Sequence, residues 1–163
     1  MSWLTRKKWV LVGVSVPVLV ALWWAFRPEK LWINQKVDEA APFASTADPQ
    51  PLYTGTLEGK AHQTRGRATI YKTPSGGEYL RLTDFSTSNG PDVHVLLARD
   101  DENLRQEIVK SQLDSIELGS LKGNQGDQNY DVASSADLNR YNAVVIYCER
   151  FHAIFGVARL EQF

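Results

Sequence analysis

The sequence predicts an all-β protein: an antiparallel β-sandwich or barrel-like domain tethered to one N-terminal transmembrane helix. Three observations predict it. From Leu52 onward, short runs rich in β-branched and aromatic residues alternate with Gly, Pro, Asn and Ser clusters. The last two runs are apolar on both faces, as in the central strands of a packed sheet. And the eighteen residues from Trp9 to Phe26 carry no charge. At about 1.5 Å per residue they span roughly 27 Å, close to the hydrocarbon thickness of a bilayer.

Residues 1–8 form a basic tail containing Arg6, Lys7 and Lys8. Residues 9–26 must be helical if inserted, because backbone polar groups in lipid have to bond to one another. Pro17 is tolerable there as a kink, and Trp9, Trp23 and Trp24 sit where interfacial aromatic residues anchor. A cleaved signal peptide is the competing reading. The flank Leu22-Trp23-Trp24-Ala25-Phe26-Arg27-Pro28 lacks a small-x-small cleavage pattern, which favours an uncleaved signal anchor. The basic residues ahead of the span place the N-terminus in the cytoplasm. The rest of the chain is then expected outside, periplasmic or extracellular, with membrane lipid as the partner of residues 9–26.

Residues 27–51 hold four of the seven prolines and show no sustained period, as expected of a linker. The body, residues 52–163, has the length of one domain. Leu52–Leu57, Gly66–Thr73 and Glu78–Phe85 read as strands, the last two separated by Pro74-Ser75-Gly76-Gly77. Asp92–Ala98 follows the turn signal Asn89-Gly90-Pro91. Asp100–Lys110 is polar, with Leu104 and Ile108 at helical spacing, and reads as a short surface helix or loop. Ser115–Leu121 and Gln128–Val132 are further strands. Asn142–Cys148 and Phe151–Leu160 form a hairpin through Glu149-Arg150, with Val144, Ile146 and Cys148 on one face and Ala143, Val145 and Tyr147 on the other.

The 163 residues carry a net charge of −1, which removes any general argument for nucleic-acid binding. The charge is uneven: five basic residues against one acid in 1–30 leave 13 basic against 18 acidic in 31–163. A single cysteine excludes an internal disulfide framework. Cys148 offers a redox-active thiolate, a metal ligand, an intermolecular disulfide, or a buried small hydrophobe in an apolar strand end. With a two-residue turn, His152 falls opposite Tyr147 and projects from the face opposite Cys148. His62, His94 and Cys148 would together suit a soft metal such as copper if the fold brought them to one point. Haem has no attachment motif here and ranks below copper. The stretch Gly119–Gly126 lacks the order of a phosphate loop and reads as turns.

The order of the short motifs resembles the DM-thirteen family, the electron-transfer domain found in Skeletor-type proteins. Asp84-Phe85 and Gly90-Pro91-Asp92 lead into Val93–Leu97. Leu118-Gly119-x-Leu121-Lys122-Gly123 precedes Gly126-x-Gln128-x-Tyr130. Asp137-Leu138-x-x-Tyr141 precedes Val144-x-Ile146-x-Cys148, and Phe151, Phe155-Gly156, Ala158 and Leu160 close the series. His62 and Gly66 match an earlier histidine and glycine, so the resemblance covers roughly residues 53–161. It implies an extracytoplasmic β domain with a redox role, Cys148 matching the cysteine proposed to be redox-active. Tyr147 stands where the family usually has tryptophan, and Ala133 where it has proline. The expected function is thus a membrane-anchored extracytoplasmic redox or electron-transfer module centred on Cys148, acting with a redox or envelope protein partner. The alternative is a non-catalytic binding or structural module whose cysteine is core.

Overall fold

The computed structural model describes residues 15–21, 23–24, 33–42, 49–74, 76–105 and 112–163. Two five-stranded antiparallel sheets face each other. The strands are β1 (Gln50–Thr56), β2 (Glu58–Gly59), β3 (Arg65–Lys72), β4 (Glu78–Ser86), β5 (Val93–Ala98), β6 (Ser115–Ser120), β7 (Gln128–Val132), β8 (Ala143–Cys148), β9 (Ala153–Arg159) and β10 (Glu161–Gln162). The first sheet runs β10-β1-β3-β4-β7 and the second β2-β9-β8-β5-β6. The chain changes sheets at Leu57, whose side chain turns into the core between β1 and β2.

Alternation explains which side chains fill the space between the sheets. Ala68 and Ile70 of β3, Leu80 and Leu82 of β4, and Tyr130 and Val132 of β7 meet Val95 and Leu97 of β5, Val144 and Ile146 of β8, and Phe155 and Ala158 of β9. The intervening residues of the second sheet are apolar as well, because that sheet is covered on its outer side too. Leu96, Val145, Tyr147, Ile154 and Val157 pack there with Leu104 and Leu113, from the connection that crosses between β5 and β6. Leu104 sits in the single helical turn α1 (Glu102–Arg105), which Asp101 caps by accepting from the Asn103 and Leu104 N–H groups. With a covered face on each side, every residue of β8 is buried, and β8 is the middle strand of its sheet.

The β8–β9 connection differs from the sequence expectation. It is a four-residue turn, Glu149–His152, and Cys148 pairs with Ala153 instead of Phe151. A bulge between Ile146 and Tyr147 sets the new register, so Tyr147 lies opposite Ile154. The extra residues are accommodated by positive φ at His152 (50°).

Within the span 9–26, residues 15–21, 23 and 24 are helical, and the remainder lies outside the described residues, as do 1–8 and 27–32. No helix among the described residues is long and apolar enough to cross a membrane. The stretch expected to be a linker contributes an ordered strap, residues 33–42, laid beside residues 123–129. Lys36 bridges Gln125 in parallel, and Val37 and Glu39 N–H groups donate to the Gln125 and Asp127 carbonyls, each at 2.9 Å. Glycine is required at Gly126: φ is +92°, and a Cβ there would overlap the Val37 carbonyl.

Candidate functional site

The loops 57–64, 87–92, 121–127 and 149–152 all lie at one end of the sandwich, where β1, β4, β6 and β8 finish and β3, β5, β7 and β9 begin. The strap enters at this end too. Ile33 and Gln35 line a cleft of about 180 Å³ together with Asn89, Asp92, Leu121 and Asn124. Glu149 N–H donates to the Asp92 carbonyl (2.8 Å), and Lys60 N–H to that of Phe155 (2.9 Å), tying the loops together. Cys148, Tyr147, His152, His94 and His62 all belong to this end.

Cys148 has no accessible surface and belongs to the inter-sheet core with Phe155, Val93 and Ile146. An oxidant or a partner disulfide has to touch the sulfur, so thiol chemistry there requires the end of β8 to open. His94 pairs in the sheet with Tyr147, whereas Cys148 pairs with Val93. The imidazole and the thiol therefore project from opposite faces of the sheet. His94 Nδ1 lies 2.6 Å from Glu117 Oε1, and Nε2 lies 2.9 Å from Asp92 Oδ1. Both ring nitrogens are thus engaged by carboxylate oxygens. His62 lies against the Phe155 ring, centroids 4.0 Å apart.

These placements do not bring His62, His94 and Cys148 to one point. Among the described residues no group of three His, Cys, Asp or Glu could hold a metal ion. The donor set suggested by residue type thus does not fit copper: the thiol faces the core, and both nitrogens of His94 are engaged. Sequence spacing could not show this, because face assignment at His94 and Cys148 depends on the register between β5 and β8.

Two features escaped the sequence reading. Tyr147 is fully buried, yet its hydroxyl reaches His152 Nδ1 at 3.4 Å. Gln128, also fully buried, organises the neighbouring loop. Its amide donates to the Gly123 carbonyl (2.8 Å), and its Oε1 accepts from the Tyr130 hydroxyl (2.8 Å) and the Lys122 N–H (3.2 Å). Burial pushes the Tyr130 phenol up to about 12. The polar letters of Gly126-x-Gln128-x-Tyr130 gave the only signal for this network, since β alternation turns both side chains inward.

Comparison with curated proteins gave no match, and neither did comparison with solved structures. Comparison with protein families matches residues 56–160 to the family described as Electron transfer DM13. The matched region takes in both sheets apart from most of β1 and all of β10, and every loop at the candidate end. The chain belongs to the electron transfer DM13 family.

Proposed function

We propose that this chain is a membrane-tethered extracytoplasmic electron-transfer module, held to lipid by residues 9–26, that exchanges electrons with a redox or envelope protein partner through the β8–β9 end of its sandwich. The observation that carries the reading is the family match over residues 56–160. The uncharged span behind Arg6-Lys7-Lys8 supports the tether and its orientation. Cys148 is the proposed redox group: it ends the central strand β8 beside the turn Glu149–His152, so opening that turn would expose its sulfur.

The second reading is a non-catalytic binding module in which Cys148 is core, and the zero exposure of the thiol favours it. A redox titration of the full chain in detergent separates the two, with the Cys148 oxidation state followed by mass. We expect a reversible wave that Cys148→Ala abolishes while the thermal midpoint falls by only a few degrees. Alanine is chosen because a serine hydroxyl in that apolar site would cost about 1–3 kcal/mol by itself. A wave that persists in Cys148→Ala overturns the assignment to the thiol, and an inert chain with an unmodified thiol leaves the binding module.

A further inference from the structure

Electron transfer through an amino-acid side chain is a proton problem as much as an electron problem. A phenol that loses an electron becomes a strong acid, so the step is easy only where a base already faces the hydroxyl. We propose that Tyr147 is a one-electron relay of this domain, oxidised to the neutral phenoxyl radical while its hydroxyl proton passes to Nδ1 of His152. This deepens the electron-transfer reading, on which its biological use rests, and it does not require Cys148 to react.

The geometry singles out Tyr147. Among the tyrosines with a described hydroxyl partner, Tyr53 donates to the Asn139 amide at 3.5 Å and Tyr130 to the Gln128 amide at 2.8 Å. Neither amide takes a proton at ordinary pH. Tyr141 hydrogen-bonds the Asp114 carboxylate, but Arg140 already holds that carboxyl below its usual range, which makes it a poor base. Tyr79 has a buried hydroxyl without a hydrogen-bond partner. Only Tyr147 is described with an imidazole.

Tyr147 also combines a dry ring with a wet base. The ring is enclosed by the outer cluster of the second sheet, including Leu96, Leu104, Val145 and Ile154, which keeps other radicals and solvent from the phenoxyl. His152 is exposed, so the accepted proton can leave to water. And His152 occupies its turn at φ 50°, a conformation that glycine or asparagine adopts at lower cost.

The Tyr147 O–H bond breaks and an N–H bond forms at His152, turning imidazole, in its Nε2-protonated tautomer, into imidazolium. One electron leaves to a high-potential one-electron acceptor of the peroxyl-radical class, which becomes a peroxide anion. Re-reduction by a one-electron donor returns a proton to the phenoxyl oxygen through His152, which draws one from water if its own has left.

The test uses the full chain in detergent micelles, oxidised by flash-generated tris(bipyridine)ruthenium(III), with the radical followed by electron paramagnetic resonance. The tyrosyl line shape separates it from radicals on the tryptophans, all of which lie between Trp3 and Trp32. We expect a tyrosyl signal in the native chain that Tyr147→Phe removes and Cys148→Ala leaves in place. His152→Gly, which suits the turn's positive φ, should slow tyrosyl formation by on the order of a hundredfold, and free imidazole should restore it. A tyrosyl signal that survives in folded Tyr147→Phe overturns the proposal, as does a rate that His152→Gly leaves unchanged or that imidazole fails to rescue. If Tyr147→Phe does not fold, the His152→Gly rate and its rescue decide alone. A His152-dependent radical in a chain without a Cys148 redox wave supports the proposal while removing the thiol from the preceding one.

Discussion

Gln128 shows how much one polar side chain can decide when it is fully buried. Its amide holds Gly123 and Lys122 in place and accepts the Tyr130 hydroxyl. Leucine has the volume to fill the site but none of the hydrogen-bonding groups. Gln128→Leu should therefore strand the Tyr130 hydroxyl proton, the Gly123 N–H and the Gly123 carbonyl away from water, with a loss of about 3 kcal/mol. Urea unfolding of the variant checks this, and a change under about 0.5 kcal/mol would show that water replaces the amide. The same desolvation explains why Tyr130 keeps its proton to about pH 12. At the opposite extreme stands Cys148, whose place in the core says what must move before it reacts.

The strap, residues 33–42, is held at the scale of an element. Gln35 N–H donates to Asn124 Oδ1 (2.7 Å), and Arg81 donates to the Glu39 carbonyl (3.0 Å). The Glu39 carboxylate accepts from Lys122 Nζ (2.8 Å) and from Asn129 N–H (2.7 Å). Burial disfavours the charged carboxylate of Glu39, but Lys122, the Asn129 N–H and Arg81 together outweigh it and hold the carboxyl below its ordinary range. A carboxyl whose native pKa is depressed contributes stability above its unfolded value, near 4.5, and that contribution is lost as pH falls through the native value. Acidification from neutral to below about pH 4 should therefore lower the hydrogen-exchange protection factors, taken relative to intrinsic exchange at the same pH, at Val37 and Glu39 before the central strands β5 and β8 respond. Glu39→Gln should remove this pH dependence at the strap. Uniform exchange across the strap and β8 at every pH would contradict an independently releasable strap.

At the scale of the molecule, two sheets share one core, and among the described residues its buried members lie between Leu57 and Leu160, with Tyr53 packed against them. The strap adds hydrogen bonds and ion pairs at the rim, each worth about 1 kcal/mol net. A chain of residues 50–163 should therefore keep the β signature in circular dichroism. It should unfold a few kcal/mol more easily than residues 33–163. Because its pairings span much of the sequence, such as β4 with β7 and β5 with β8, refolding should take milliseconds to seconds. Loss of cooperative unfolding on removing 33–49 would make the strap part of the core.

Strand existence was legible because it is local. Period-2 alternation at Gly66–Thr73 and Glu78–Phe85, and the doubly apolar hairpin around Val144–Cys148, follow from residue order alone. So did the central place of β8, since an apolar residue on each face needs a cover on each face. What the sequence could not settle depends on which distant residues meet. The strap looked like a tether because Pro, Ala and scattered charges carry no period, and its partners at Lys122–Asn129 lie about 90 residues away. The four-residue turn and the bulge beside Tyr147 came from packing, which outweighed the shorter hairpin that Glu149-Arg150 suggested. The sequence thus determined the fold class, the family and the identity of the lone thiol. Only the tertiary structure decided that the thiol faces the core while His94 faces the other side and Tyr147 meets His152, because a one-residue change in register exchanges the two faces of a strand.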